Sequence, residues 1–246
     1  MVKKIMMWVV AVLLLSYTIA AVFLLNAANG DALCHDLNIV VKQSSGQRFI
    51  TADDVIANLR NAGLYPVGKP LAAINTGAIE IRLKENKLIK QVNCYKTAAG
   101  NIGIEIDQKI PILRVLSLSG NYYIDSEGEI MPVPGNTAVY VPVATGYVER
   151  DFARTRLYHF ALFLQEDRFW NNQIEQICIA PNNEVELVPR VGDHRIVLGK
   201  LNEYKENLEK LRLFYEKGLK EIGWNKYSVI NLKFKNQVVC VKKNNE

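Results

Sequence analysis

The sequence predicts an α+β protein held by one N-terminal transmembrane helix. A small β-α-α-β-β domain comes next, then a β-rich domain with a long late helix and two closing strands. Three observations predict this. Lys3 and Lys4 precede an uninterrupted charge-free run, Ile5 to Leu25. Two short helical patterns follow, and a hairpin of alternating residues comes after them. Beyond Pro111 the chain breaks into short strand patterns, interrupted by helical periodicity near 151–169 and 201–222.

The apolar run sets the topology. Roughly 21 residues at about 1.5 Å each span about 31 Å, the thickness of a hydrocarbon core. Ser16 and Thr18 can return their hydroxyls to the helix backbone. The flanking lysines favour a cytoplasmic N-terminus at residues 1–4. A cleaved signal peptide has a shorter apolar core of about 7–15 residues, although Ala27, Ala28 and Ala32 supply small residues near a cut. Either way the remainder is exported. Composition narrows the rest. A hydrophobic fraction of 49% suits a globular chain rather than a polytopic transporter. The net charge of +5 is spread without a basic block, so no nucleic-acid partner is expected.

Residues 26–36 read as a linker. Leu37 to Lys42 reads as a strand, and Thr51-Ala-Asp-Asp54 resembles a capping box opening a helix with Val55, Ile56, Leu59 and Ala62 on one face. Gly63 closes that helix, and Pro66, Gly68 and Pro70 stiffen the connection. A second helix is expected over 75–85, with Ile74, Ala78, Ile81 and Leu83 as its apolar residues. Strands 89–95 and 102–107 form a hairpin across Ala98-Ala99-Gly100-Asn101.

In the second domain, strands are expected at 122–125 and 130–133, around a turn at Ser126-Glu127-Gly128. One helix should cover 151–169, packing through Phe152, Leu157, Phe160, Leu164 and Phe169. Strands follow at 174–179, 184–189 and 195–198. The helix over 201–222 carries an apolar stripe suited to lying on a sheet, with a coiled-coil seam as the alternative. Glu206–Lys210 and Arg212–Glu216 are expected to pair on its wet side. Strands 228–235 and 237–242 close the domain, and 243–246 is a charged tail.

Little of this points to catalysis. His35, His159 and His194 sit in no metal-binding spacing, and no nucleophile or phosphate-loop motif is present, so no cofactor, metal or small-molecule substrate is expected. Cys34-His35 would point in opposite directions in extended chain. Asp125 and Glu127 read as turn chemistry rather than a paired-carboxylate site. Cys94, Cys178 and Cys240 fall in apolar strand patterns and read as small core residues; the sequence assigns no pairing among the four cysteines.

Several patches in order resemble the bacterial cell-division FtsQ (DivIB) family. They are the strand Leu37-Asn-Ile-Val-Val-Lys42, then Lys109-Ile-Pro-Ile112, then Tyr123-Ile-Asp-Ser-Glu-Gly-Glu-Ile130. The last is Ile230-Asn-Leu-Lys-Phe234 with Asn236-Gln-Val-Val239. Ser45-Gly46-Gln47, Tyr95 to Gly100 and Asn231 depart from the family pattern. The resemblance implies a POTRA-like domain over 37–115 and an FtsQ-type β domain over 116–242. It implies a non-enzymatic divisome scaffold in the bacterial plasma membrane, with its bulk periplasmic and enriched at the septum. Its partners would be FtsB/FtsL-like proteins and the septal peptidoglycan synthase complex. Strand addition at the closing strands would use Lys233, Phe234, Asn236 and Val238, with Phe234 packed in the core as the alternative. The competing expectations are a POTRA-type module of another envelope assembly or export system, and a membrane-tethered envelope enzyme.

Overall fold

The computed structural model describes residues 6, 8, 10–21, 32–42, 48–135 and 139–243. Both ends of the 5–25 run, residues 26–31 of the expected linker, Ser45-Gly46-Gln47 and the last three tail residues lie outside them. Residues 10–21 are helical and expose Leu13, Leu14, Leu15 and Ile19. Ser16 Oγ and Thr18 Oγ1 donate to the carbonyls of Leu13 and Leu15, both at 2.9 Å. Among the described residues no helix is long and apolar enough to cross a membrane. The chain divides into two compact units, Met1–Gln108 and Lys109–Glu246.

The first unit contains β1 (Leu37–Lys42), α1 (Ala52–Asn61), α2 (Thr76–Lys84), β2 (Ile89–Lys96) and β3 (Ile102–Gln108). Thr51 starts α1 with a full reciprocal cap. Its Oγ1 accepts from Asp54 N at 3.2 Å, and Asp54 Oδ2 accepts from Thr51 N at 2.9 Å. Val55 and Leu59, four residues apart, are the buried stripe of α1. Asn75 caps α2 by accepting from Ala78 N. There the expected apolar face is corrected: Ile79 and Leu83 are buried, whereas Ile81 is exposed. Residues four apart share a helix face, and Ile81, two from each, falls on the other side.

The sheet order is β1-β3-β2, with β1 parallel and β2 antiparallel to the centre. Ile102, Ile104 and Ile106 fill the inner face, while Glu105 and Asp107 point outward to Lys42. On that outer face Tyr95 lies across Gly103, where an added Cβ would come within 2.6 Å of the ring. Residues 32–34 are hydrogen bonded to the 68–71 segment: Cys34 N donates to Lys69 O, Gly68 N to Cys34 O and Leu71 N to Ala32 O.

The second unit is one nine-stranded sheet. Its strands are β4 (Pro111–Ser117), β5 (Gly120–Asp125), β6 (Ile130–Met131), β7 (Val143–Gly146), β8 (Ile174–Ile179), β9 (Val185–Pro189), β10 (Arg195–Gly199), β11 (Tyr227–Asn231) and β12 (Val239–Lys242). They lie in the order β12-β11-β10-β9-β8-β7-β4-β5-β6. Three joins are parallel, β4 to β7, β7 to β8 and β10 to β11, and the latter two are made by long helical crossovers. α3 (150–166) and α4 (Arg168–Gln173) lie between β7 and β8, and α5 (204–222) lies between β10 and β11.

Both crossovers pack together on one sheet face. Phe160 and Phe163 meet the Tyr204 ring at 5.1 and 5.2 Å, and Trp170 lies 6.3 Å from Tyr215. Beneath them Ile177, Leu187, Ile196 and Ile230 belong to the same core as Leu208, Leu211 and Leu219. The stripe on α5 therefore faces the sheet of its own unit.

Three expectations are corrected. The helix over 151–169 is two helices, because Asp167 leaves the helical conformation and caps α4 by accepting from Phe169 N and Trp170 N. The pairs expected along α5 give way to tertiary partners. Lys210 Nζ donates to the carbonyls of Leu232 and Phe234 at 3.0 and 2.9 Å, and Arg212 Nη2 binds Asp167 at 2.6 Å. Strand 228–235 stops at Asn231 and strand 237–242 starts at Val239. Asn231 Oδ1 accepts from Lys233 N, a local turn that competes with the ladder, and Asn236 adopts a left-handed φ of 58°.

Candidate partner-binding edge

β12 ends the sheet. Its register with β11 pairs Asn231 with Val239, Ile230 with Cys240 and Val229 with Val241. β11 is pinned on its other side by β10. On the outer side of β12 no strand is paired among the described residues. An edge of this kind presents backbone donors and acceptors to whatever approaches it.

The four residues singled out from the sequence sit beside this edge, in the 232–238 connection rather than within a strand. Phe234 is 48% exposed, and Val238 packs partly against the core. Lys233 is already engaged: its Nζ lies 3.0 and 3.2 Å from the two carboxyl oxygens of Glu184. The hydrogen bond from Lys233 holds the Glu184 carboxyl below the usual range. Gly199, at a left-handed φ of 84°, gives the Lys233 stem its room; a Cβ there would sit 3.0 Å from Lys233 Cγ. Lys210 clamps two carbonyls of the same connection from α5. The turn is thus tied at three points, and Phe234 projects from a fixed base.

Glu184 and Lys210 were not legible as parts of this region, whereas Val239 and Val241 were expected within its closing strand. Glu184 and Lys210 are distant in sequence and look like ordinary surface charges. The valines were legible as strand residues, but their side of the sheet depends on the register with β11.

The other chemically suggestive residues do not assemble. Cys34 is buried and its thiol donates to Asp36 O, whereas His35 is exposed, as neighbours in extended chain should be. His159 is exposed on α3. His194 is 1% exposed, with Nε2 2.7 Å from Tyr215 Oη. Burial lowers its pKa, more than the Trp224 backbone and Asp193 raise it. Asp125 is buried in its turn: Oδ1 accepts from Glu127 N and Glu129 N, and Oδ2 from Lys109 Nζ at 2.7 Å. All four cysteines are free; Cys94 is buried, as expected, whereas Cys178 and Cys240 are only half-buried: Cys178 alternates with core Ile177 and Ile179 on the central strand β8, and Cys240 sits on the terminal strand β12 beside Ile230. Among the described residues no three His, Cys, Asp or Glu side chains are grouped to hold a metal ion.

These features define a two-module α+β protein: a β-α-α-β-β module, then a wide sheet with helices on one face and a terminal strand at its end. Residues 32–107 match the family described as POTRA-like domain. Residues 110–241, more than half of the chain, match FtsQ/DivIB, C-terminal related, and the chain belongs to the FtsQ/DivIB family. It is 30% identical over 100 residues to the cell division protein FtsQ of Streptomyces collinus. That alignment covers 40% of this chain and 36% of the relative's length. The major extracytoplasmic domain of the cell division protein DivIB from Geobacillus stearothermophilus shares 13% identity. The match covers 45% of this chain and 97% of that one, at a TM-score of 0.31. That superposition is too loose to equate individual strands.

Proposed function

We propose that this chain is a non-enzymatic scaffold of bacterial cell division. It is anchored through Ile5–Leu25, with its two modules outside the plasma membrane at the septum. In this reading an FtsB- or FtsL-like protein adds a strand beside β12 and so links the septal peptidoglycan synthase complex. Lys233, Phe234, Asn236 and Val238 form the turn that frames the approach. The observation that carries the reading is the position of β12 at the end of the sheet order, beside a tethered turn with a half-exposed phenylalanine. Backbone pairing supplies affinity, and the pre-formed turn lowers the ordering cost. Family membership supports the cell-division role, and the charge-free run supports the anchor.

Depletion tests the role: cells should elongate into filaments without septa, and continued septation contradicts it. Phe234→Ala should weaken co-purification of the partner while the fold survives, since truncating a half-exposed side chain leaves no cavity. Unchanged co-purification removes Phe234 from the edge.

A further inference from the structure

The helix-free face of the large sheet specifies the chemistry of the strand that β12 accepts. Ile230 points into the core beneath the helices, so its neighbours Val229 and Asn231 face the other way. Register then places Val241 beside Val229, and Val239 beside Asn231, on that open face. Val197 lies beyond Asn231 on β10. Val239 and Val241 are 40% and 54% exposed, and Val197 and Val229 are half-buried. Four valines therefore make one patch, and it reaches the sheet's last strand.

The other side of β12 differs. Cys240 and Lys242 alternate with the valines and project toward the helix layer's side. Six lysines, at 220, 226, 233, 235, 242 and 243, occur from residue 220 to 243, against one acid, Glu221. Lys233 and Lys243 are engaged by Glu184 and Asp193. Lys235 lines a groove with Glu203, Glu206 and Glu209, whereas Lys242, on β12 itself, has no ion-pair partner among the described residues.

We infer that the segment recognised by β12 is an extended peptide with aliphatic residues at alternate positions, facing the patch of Val197, Val229, Val239 and Val241, and an acidic residue between them, facing Lys242. A strand beside β12 must continue both faces of the sheet, and directly opposed side chains across strands interact. Aliphatic residues extend the valine patch, and an acid meets the Lys242 ammonium. A second copy of this chain would match valine to valine but offers Lys242 no acid: antiparallel pairing that sets Val239 against Val241 leaves Lys242 opposite Val238. The inference rests on the strand-addition reading and adds to it the partner's sequence pattern.

Two fluorescent ten-residue peptides test it against the purified full chain: one alternating valine with glutamate, one alternating valine with lysine. The glutamate peptide should bind about tenfold more tightly at low salt, with the gap narrowing as salt rises. Lys242→Glu, on an exposed edge position that leaves the core intact, should shrink that preference. Equal binding of both peptides overturns the sequence pattern and leaves strand addition standing. Binding of neither, in parallel with successful capture of an FtsB-like protein by the same sample, also overturns the pattern alone; binding of neither with no capture removes strand addition itself. Reversible dimerisation of the chain that Val241→Glu abolishes would assign the patch to a second copy and overturn the inference.

Discussion

The turn at Asp125 should be the most sensitive polar site in the second unit. Its side chain is 1% exposed and that of Lys109 is 17% exposed, so neither group has much access to water. Asp125 accepts three hydrogen bonds, two from backbone amides at 2.9 Å and one from the Lys109 ammonium at 2.7 Å. Asp125→Ala strands all three donors. Removing one partner of a buried pair costs about 3–5 kcal/mol, mostly because the other charge stays buried. Asp125→Asn keeps an oxygen for the two amides and loses the charge-assisted bond, a cost of about 1.5–3 kcal/mol. The assay is urea unfolding of the full chain, followed by tryptophan fluorescence. Trp170 and Trp224 both lie in this unit, and Trp170 is buried. In a cycle with Lys109→Met, the double variant should be markedly more stable than the sum of single losses implies. Costs under about 1 kcal/mol for Asp125→Ala, or strict additivity with Lys109→Met, would refute the buried-pair account.

Other consequences concern titration and backbone geometry. His194 has a folded pKa depressed by burial, so the unfolded chain binds the proton more readily. Its contribution is present above the unfolded value of about 6.5 and is lost as pH falls through and below it. His194→Gln should flatten the pH dependence of the unfolding midpoint in that window, and an unchanged slope contradicts this. Gly146 has φ +90°, and an added Cβ would lie 2.3 Å from Ile179 O across the β7–β8 pair. Gly146→Ala should therefore cost at least about 2 kcal/mol, read from the same urea transition; a shift within error would contradict the clash. Thr51→Ala removes the hydroxyl that accepts from Asp54 N, leaving the residue-51 amide on Asp54 Oδ2, and should cost about 1 kcal/mol. It should speed amide exchange over 52–61, most at the Asp54 amide that loses its acceptor, while leaving the Trp170 transition unchanged, and unaltered exchange contradicts the capping role.

Elements governed by local chemistry were legible in the sequence. Thr51 and Asp54 announce their cap, Gly63 its helix end, and Ala98 to Asn101 their hairpin. What was not legible depends on distant partners. Asp167 reads as one more polar helix residue until its carboxylate is seen both capping α4 and binding Arg212 from α5. Burial raises its pKa, but Arg212 and the two α4 amides outweigh that and hold the carboxyl low. Lys210 suits an i,i+4 pair with Glu206, yet two carbonyls of the closing turn take its ammonium instead. Ile81 looks apolar enough to face the core, and only its phase relative to Ile79 and Leu83 turns it outward. Around the edge, the pattern identified two closing strands and a turn at Asn236. The side of the sheet each valine occupies, and the capture of Lys233 by Glu184, required the register and the fold.

Site-specific photo-cross-linking in growing cells reaches the edge itself. A photoreactive residue at Val239 or Val241 should give one discrete adduct with a small division protein, and the same probe at exposed His159 on α3 should not. Absence of adducts along β12, or equal labelling from α3, would contradict strand addition at this edge.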